Sequence, residues 1–356
     1  MKSRCRTSVF SVRLEHIFSA SVLMTGFLSL ATNCATAADE FYKGKRITIM
    51  VSGAGSYEAY ARLIAAHMPK HIPGQPTFIV RQMQGAGGIR ATNYIYNIAP
   101  KDGTEIAATH SQIPSEPIYQ QRGVEYDPTR IGWIGSVTKE TFVAVVRSDA
   151  PVRTLEDATR TEIAVGGAAV GGVSSDMPII SNAVLGTKFK LVTGYDGSPS
   201  VRLAVDRGEL QGIFGESYNS LRTGRPDWFN EHRVNVITQF TFQRASNLPD
   251  VPLFLDSVKD ATDRAAVELY FARAETGKPY FAPPGMPPGR LDTLRAAFSD
   301  TMKDPEFLSD LERQKFDMRD PMTGAEMEAF VSKLALTPKP AIDRLNGFFA
   351  NYTTRK

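Results

Sequence analysis

One feature constrains the fold of this sequence more than any other: a repeated unit of apolar run, glycine-rich loop and second apolar run at helical spacing. The first unit has ITIMV at residues 47–51, the loop SGAGS at 52–56 and a predicted helix over 57–68. Further strands are predicted from β-branched runs over residues 76–83, 104–109, 162–167, 188–194, 211–216 and 233–240. Alternating strands and helices predict an α/β fold with mostly parallel sheets.

Several helix ends can be predicted from capping residues. Ser174 or Ser175 is the predicted N-cap of a helix that stops near Gly186. Ser198 is the predicted N-cap of the next helix. From residue 247 onward the chain is predicted to be mostly helical. Because strand–loop–helix units occur in two separate regions of the chain, we expect two lobes.

The first 38 residues predict a secretory signal peptide that is cleaved near Ala37 or Ala38, which places the mature protein in the periplasm. Basic residues come first, and residues 17–31 form an apolar core of 15 residues that is shorter than the ~20 residues a membrane span needs. Cys34 could instead carry a lipid anchor, but residues 31–33 match a lipoprotein cleavage motif poorly. We therefore expect export with cleavage.

Removing this leader changes the charge argument. The whole chain carries a net charge of +3, and the leader holds four Lys or Arg and one Glu, which is also +3. The mature chain is therefore near neutral, and no electrostatic case for nucleic acid remains. Both cysteines, Cys5 and Cys34, lie in the leader, so we expect no disulfide and no cysteine-based metal site.

The loop after the first predicted strand is typical of an anion site, because its backbone N–H groups and the following helix N-terminus point to one place. A dinucleotide site would need a third glycine where Glu58 stands. It would also need an acidic residue about 20 positions later, but residues 59–101 contain no Asp or Glu. We therefore exclude a nucleotide and expect no cofactor.

Two more glycine loops follow predicted strands, GAGG at residues 85–88 and GGAAVGGVSSD at 166–176. Glycine loops at strand ends are either simple tight turns or part of a ligand cleft. Tyr57 and Tyr195 lie in glycine-containing loops and are candidates to line the same cleft. Glu216 lies at a predicted strand end. It either binds a cationic group of the ligand or is simply exposed to solvent.

Evidence for catalysis is sparse. The sequence has no G-x-S-x-G motif, which marks the nucleophile of many serine hydrolases. A serine hydrolase of that type is therefore not indicated. His67 and His71 have the spacing of helix metal ligands, but Pro69 lies between them and no third ligand is nearby in sequence, so we expect no metal site. His110 comes where a strand meets a loop and is either a structural histidine or part of the site.

Three segments carry a family resemblance: GAGSYEAYAR, IPGQPTFIVRQMQGAGGIRATNYIYNIAPKDGT and VTGYDGSPSVRLAVDRGELQG. They resemble the Bug/TctC family, the extracytoplasmic solute receptors of tripartite tricarboxylate transporters. The resemblance implies a two-lobed periplasmic-binding-protein fold of class II, a Venus flytrap whose hinge the chain crosses twice. We expect lobe 1 over residues 39–145, lobe 2 over 146–242, and a helical return to lobe 1 over 243–356.

The resemblance also implies a small organic anion, a carboxylate, held in the cleft between the lobes. Relatives often carry glycines and an Asp where this chain has Ala54, Ser56 and Glu58, and an acidic residue where it has Gln211. These differences leave the expected fold unchanged but affect which anion the protein binds. Together with the strand-end residues above, the predicted ligand-binding set is Ser52, Gly53, Ala54, Gly55, Ser56, Tyr57, Gly87, Gly88, His110, Ser111, Gly167, Ala168, Gly172, Ser174, Ser175, Tyr195, Gly197 and Glu216.

The expected function is therefore a periplasmic solute-binding protein that delivers its ligand to the membrane subunits of a tripartite tricarboxylate-type transporter. We expect a monomer that is not an enzyme. Two alternatives remain at this point. One is a secreted α/β hydrolase that uses His110 with a loop serine, and the other is a ligand receptor for a sensor kinase.

Overall fold

The computed structural model of the protein describes residues 41–53, 55–119, 122–168 and 171–353. The predicted leader with Cys34, and the predicted ligand residue Ala54, lie outside these residues. Within them the chain forms eleven strands: β1 (Arg46–Val51), β2 (Thr77–Gln82), β3 (Glu105–Ala108), β4 (Gly132–Ser136), β5 (Phe142–Arg147), β6 (Ile163–Gly166), β7 (Phe189–Val192), β8 (Gly212–Ser217), β9 (Val234–Phe240), β10 (Pro279–Ala282) and β11 (Met322–Thr323).

Fourteen α-helices and three short 3₁₀ helices accompany these strands in the described residues, and none of the helices is long and apolar enough to cross a membrane. The three 3₁₀ helices are Met68–His71, Ala86–Gly88 and Pro128–Arg130, and the α-helices are numbered in chain order. They are α1 (Ser56–His67), α2 (Ile89–Asn97), α3 (Glu116–Tyr119), α4 (Leu155–Arg160), α5 (Val173–Leu185), α6 (Ser198–Asp206), α7 (Tyr218–Gly224), α8 (Pro226–Asn230), α9 (Phe254–Ser257), α10 (Ala261–Glu275), α11 (Pro288–Thr301), α12 (Pro305–Arg313), α13 (Gly324–Ala335) and α14 (Lys339–Thr353).

The strands form two sheets, with the orders β11-β4-β10-β3-β1-β2 and β7-β6-β8-β5-β9. Strand β1 is parallel to β2 and β3, and β6 is parallel to β7 and β8, as the strand–loop–helix units predicted. Strands β10, β11 and β5 pair antiparallel with their neighbours. Both sheets are therefore mixed rather than mostly parallel, because β5 and β10 enter their sheets from the hinge and run away from it.

Up to β10 the chain crosses between the two sheets twice. The first crossing joins β4 to β5, and the second joins α10 to β10. The two crossings lie side by side: the Val137 N–H donates to the Lys278 carbonyl at 3.1 Å, and the Glu140 N–H donates to the Ala274 carbonyl at 2.8 Å. The predicted double-crossing hinge is thus present in the described residues.

Each sheet is buried on both faces by helices. The first sheet packs against α1, α11 and α12 on one face and against α2 and α13 on the other. On the second sheet, the core includes Phe254, Tyr270 and Phe348, which come from α9, α10 and α14. Residues after 243 therefore still pack on the second sheet, and α14 returns to it. Helix patterns alone do not say which sheet a helix covers, so the lobe boundaries at residues 145 and 242 stay a prediction.

Most predicted strands and helices are confirmed to within two residues, and the left-handed C-cap of α5 is Gly186, as predicted. Two predicted N-caps are wrong. Helix α5 is preceded by Gly172 and helix α6 by Gly197, and neither helix has a side-chain cap. Strand β10 was not predicted, because its sequence PYFA is short and proline-flanked.

Candidate functional site

The carboxyl ends of β1 and β3 lie side by side because these parallel strands are neighbours in the first sheet. Ser52 directly follows β1, and His110 is the second residue after β3. The Ser52 hydroxyl lies 3.3 Å from Nδ1 of His110. The Tyr57 ring, in the first turn of α1, stands edge-on to the imidazole with 4.6 Å between ring centroids. Its hydroxyl accepts a hydrogen bond from the Ser111 N–H at 3.3 Å. The structure thus brings four predicted site residues together.

Glycines let the loop backbones close around this imidazole. A Cβ atom on Gly53 would lie 2.7 Å from Nε2 of His110, and one on Gly88 would lie 3.0 Å from both Nδ1 of His110 and Oγ of Ser52. Gly88 also has a φ of +100°, a conformation that favours glycine. The two glycine loops of the first lobe therefore meet at His110, as their strand-end positions predicted.

The four helices that begin at the predicted ligand loops share one feature at their N-termini. Their N-cap residues are all glycine, and none of these helices has a side-chain cap among the described residues: Gly55 for α1, Gly88 for α2, Gly172 for α5 and Gly197 for α6. By contrast, α4, α7, α10, α12 and α13 have Thr, Ser or Asp caps. Helices α8, α9 and α11 also lack side-chain caps, but their N-cap residues are Arg225, Leu253 and Pro287 rather than glycine. The first-turn N–H groups at the loops are thus not satisfied by side-chain caps.

His110 is held in its neutral form. Burial lowers its pKa below the usual value, and the nearby Lys278 ammonium lowers it further, while a hydrogen bond to the Gly87 carbonyl acts in the opposite direction. The same carbonyl accepts from the Gln112 side chain at 3.0 Å. The imidazole therefore contributes hydrogen bonding and packing rather than a positive charge at neutral pH.

Lys278 supplies a cation next to this cluster. Its ammonium lies 4.3 Å from the centroid of the Tyr57 ring and 2.7 Å from Oε1 of Glu140. Glu140 also accepts from the Ser217 hydroxyl at 3.1 Å. Burial alone would raise the pKa of Glu140, but Lys278 and Ser217 outweigh it and hold that pKa low. Sequence reasoning missed both residues of this pair, since they are 138 positions apart and lie in no motif.

In the second lobe, the predicted serines have different surroundings. The Ala168 N–H lies 3.4 Å from Oγ of Ser174, at the limit of a hydrogen bond. Ser175 is fully buried, and its hydroxyl has no hydrogen-bond partner among the described residues. A Cβ on Gly167 would lie 2.3 Å from that hydroxyl, so Gly167 is needed for the loop to pack on α5. Both hydroxyls thus lie near the loop, but of the two only that of Ser174 lies at hydrogen-bond distance from a described loop N–H.

A buried polar cluster joins this second-lobe loop to the first half of the chain. The Asp176 carboxylate accepts from the Gly171 N–H at 2.8 Å and from the Tyr270 hydroxyl at 2.7 Å. Burial raises the pKa of Asp176, against the opposing effect of Tyr270 and Arg273. Arg273 donates to the Tyr119 hydroxyl at 2.6 Å. Helix α3, which contains Tyr119, is thereby attached to the second lobe, a contact that the sequence did not predict.

The remaining predicted residues surround the start of α6. Tyr195 packs on the core of the second sheet, and Gly197 has a φ of +129°. Glu216 lies at the end of β8 with 8% of its surface exposed. Burial raises the pKa of its carboxyl, which the Ser198 hydroxyl and Arg202 partly offset. Glu216 is therefore not simply solvated, because its carboxylate faces the first turns of α6.

A cavity of about 360 Å³ lies between the lobes, and among the described predicted ligand residues only Ser56 lines it. Ser52, Tyr57 and His110 do not line it, but Lys278, whose ammonium lies against the Tyr57 ring, does. Polar and charged groups from both lobes line it, including Tyr60, Glu140, Arg202 and Ser217. Side chains of both lobes therefore meet at this cavity, next to the hinge ion pair of Lys278 and Glu140.

The sequence matches one protein family over most of its length. The sequence profile described as "Tripartite tricarboxylate transporter family receptor", TctC, matches residues 60–346. A comparison with curated proteins finds no significant match.

Solved structures share the fold. A TctC solute binding protein from Polaromonas is 18% identical with a TM-score of 0.68, and the match covers 86% of this chain and 99% of that one. MatC from Rhodopseudomonas palustris with bound malate is 20% identical with a TM-score of 0.56, covering 85% and 98%. A second R. palustris protein, with adipate, is 16% identical with a TM-score of 0.58, covering 84% and 97%. The predicted two-lobed periplasmic-binding-protein fold is confirmed.

Proposed function

Because this chain belongs to the family of tripartite tricarboxylate transporter receptors, as its sequence predicted, we propose that it binds a small carboxylate between its two lobes. We further propose that it is exported to the periplasm, acts as a monomer without catalysis, and delivers its ligand to the membrane subunits of a tripartite transporter. Relatives of similar fold were solved with malate and with adipate, which are both carboxylates.

The observation that carries this proposal is the set of four glycine N-caps at the predicted ligand loops. A helix N-terminus has unsatisfied N–H groups and a partial positive charge, so an anion is its natural partner. Elsewhere in the chain, Thr154 and Asp260 satisfy such groups with their own oxygens. Where the side-chain cap is missing, the ligand's carboxylate can take that place.

The charges near the first-lobe cluster agree with an anionic ligand. Lys278 contributes a buried ammonium at the Tyr57 ring, and Glu140 neutralises it. The ligand would therefore meet N–H groups, hydroxyls and a compensated cation rather than a bare one. Such a site binds a carboxylate without the very tight hold that would prevent release to a membrane partner. Closure of the lobes on the ligand would add the second-lobe contacts.

One observation favours a second candidate, a hydrolase, because Ser52 lies 3.3 Å from His110. The other described partner of the imidazole is the Gly87 carbonyl, whereas a nucleophilic triad uses an acidic group there. Ser52 is also only 2% exposed. An esterase and amidase screen tests this directly, and turnover that His110→Ala abolishes would replace the transport proposal.

The proposal is tested on the mature chain, residues 39–356. Thermal unfolding is recorded with mono-, di- and tricarboxylates, aromatic acids and acidic amino acids, each matched with its neutral amide. A ligand at 100 times its Kd should stabilise the protein by about 2.7 kcal/mol. A shift for an acid without a shift for its amide supports the proposal. If no acid shifts the transition, or if the amides act equally, a carboxylate site is ruled out.

Delivery is tested separately in the organism. Deleting the gene of this receptor should stop uptake of the acid identified in vitro, and a copy with an intact signal peptide should restore uptake. If uptake persists but gene expression in response to the acid is lost, the chain serves a sensor kinase rather than a transporter.

A further inference from the structure

Two histidines four positions apart lie where α1 ends, away from the cleft: His67 is the last residue of α1, and His71 ends the short 3₁₀ helix Met68–His71 that follows it. The sequence offered no third metal ligand for them, but the fold supplies acidic residues from more than 230 positions later. Nε2 of His67 lies 3.0 Å from Oδ2 of Asp310, and Nε2 of His71 lies 3.0 Å from Oδ2 of Asp304. These acids belong to α12 and the residue before it, which pack across the end of α1.

Three side chains bring potential ligand atoms especially close. One nitrogen of His67 and one oxygen each of Asp304 and Glu306 lie within 4.8 Å of one another. The side chain of His67 is 11% exposed and that of Asp304 is 5% exposed, whereas that of Glu306 is 77% exposed. Small rotations of Glu306 would therefore bring all three atoms onto one ion.

A cation already occupies the space between the carboxylates. The Lys70 ammonium lies 2.5 Å from Oδ2 of Asp304 and 2.6 Å from Oε2 of Glu306. Arg313 pairs with Asp310 at 2.6 Å. Without counting the imidazoles, the three carboxylates against these two cations leave a net charge of −1. A divalent ion that replaced Lys70 would bring this cluster to neutrality, and the Lys70 side chain is exposed enough to move into solvent.

We propose that this cluster is a zinc site in which His67, Asp304 and Glu306 hold the ion and His71 and Asp310 are available as further ligands. The mixed donor set decides the metal class, because imidazole nitrogen with carboxylate oxygen suits Zn²⁺ and its transition-metal neighbours, whereas Mg²⁺ and Ca²⁺ prefer oxygen alone. The site would join the C-terminal end of α1 to α12. Since α1 has 12 residues and is roughly 18 Å long, the ion would be remote from the cleft and would stabilise the first lobe.

The test uses tag-free mature protein that has been treated with a chelator and then titrated with ZnCl₂ by calorimetry. One zinc per chain is expected, and Co²⁺ in its place should give visible absorption bands of a low-coordinate site. His67→Gln and Asp304→Asn should each weaken zinc binding at least about tenfold. Asn keeps the N-capping ability of position 304, so this variant should still fold.

Two further variants make the result decisive. Lys70→Met should tighten zinc binding, because it removes the competing cation and leaves every ligand in place. His232→Asn is the matched control, since it removes an exposed histidine of the second lobe at a φ of +51° that Asn tolerates. Unchanged zinc affinity in His67→Gln, no tightening in Lys70→Met, or an equal loss in His232→Asn would each overturn the proposal.

Discussion

The ammonium of Lys278 lies 2.7 Å from Oε1 of Glu140, and the two residues come from the two segments that cross between the sheets. Lys278 is 5% exposed and the Glu140 side chain is 18% exposed, so the ammonium is buried and the carboxylate is largely shielded from solvent. Ser217, at the end of β8 in the second sheet, donates to the same carboxylate, and the Tyr57 ring of the first-lobe cluster lies against the same ammonium. One ion pair therefore connects the hinge, the second sheet and the candidate site.

Glu140→Gln should reduce the free energy of unfolding by roughly 3–5 kcal/mol, because it leaves the Lys278 charge buried without a partner. Denaturation in urea measures this change. The double variant Lys278→Met/Glu140→Leu should recover most of the loss, since no unpaired charge then remains.

The matched control for this pair is Lys339 with Asp343, whose atoms are also 2.7 Å apart but whose side chains are 81% and 59% exposed. Asp343→Asn should leave the free energy of unfolding close to that of the wild type, because exposed pairs are screened by solvent. Equal effects of Glu140→Gln and Asp343→Asn would show that burial of the hinge pair is unimportant.

Gly88→Ala should weaken ligand binding at least about tenfold and destabilise the fold by about 1–3 kcal/mol, because φ is unfavourable for alanine. The added Cβ would also lie 3.0 Å from both His110 and Ser52. Calorimetry with the identified acid and urea denaturation measure the two effects. Gly285→Ala is the control, since φ is +75° there but no atom lies within 4 Å of the new Cβ. Normal affinity in Gly88→Ala would place the ligand elsewhere.

Substitution by alanine should affect ligand binding differently at the two adjacent serines, Ser174 and Ser175. Ser174→Ala should weaken binding by about 1.5–3 kcal/mol, the usual contribution of a hydrogen bond to a charged group. Ser175→Ala should leave binding unchanged and should not destabilise the fold, because the Ser175 hydroxyl is buried without a described partner. Calorimetry and thermal unfolding of both variants check this. If Ser175→Ala is the variant that loses affinity, the second-lobe loop rearranges on binding.

His110 should make stability depend on pH. Its pKa in the folded state is below the usual 6.5, so the unfolded chain binds more protons as pH falls below about 6.5, and the folded state loses stability. Each pH unit of that shift corresponds to about 1.4 kcal/mol. The stability of wild type relative to His110→Gln should thus fall between pH 7 and pH 5 and stay constant above pH 7.5. A constant difference down to pH 5 would contradict this account.

The sequence predicted which residues of the first lobe lie close together. Ser52, Tyr57, Gly88 and His110 were chosen because each follows a predicted strand or stands in a glycine loop, and the structure brings them into contact. The glycine N-caps were also present in the sequence, since each glycine directly precedes a helical run. For α5 and α6 the sequence predicted serine N-caps, because serine is a commoner N-cap than glycine, but the structure has Gly172 and Gly197 there.

Other features could not be predicted. Strand β10 has only four residues, and its pairing with β3 and β4 depends on the chain returning from the second sheet. The Lys278–Glu140 pair and the acids beside His67 likewise join residues that are far apart in the chain. No local pattern contains both members of such a pair, so sequence spacing carried no information about them.

The sequence by itself determined the strand–loop–helix units, the family and the positions of the glycine loops, because these depend on hydrophobic periodicity and on residues adjacent in the chain. Only the tertiary structure decided which strands run antiparallel, which helices cover which sheet, and which charges meet at the hinge and at the end of α1. Those choices depend on packing between distant segments, where the free energy of burying apolar surface and pairing buried charges selects one arrangement.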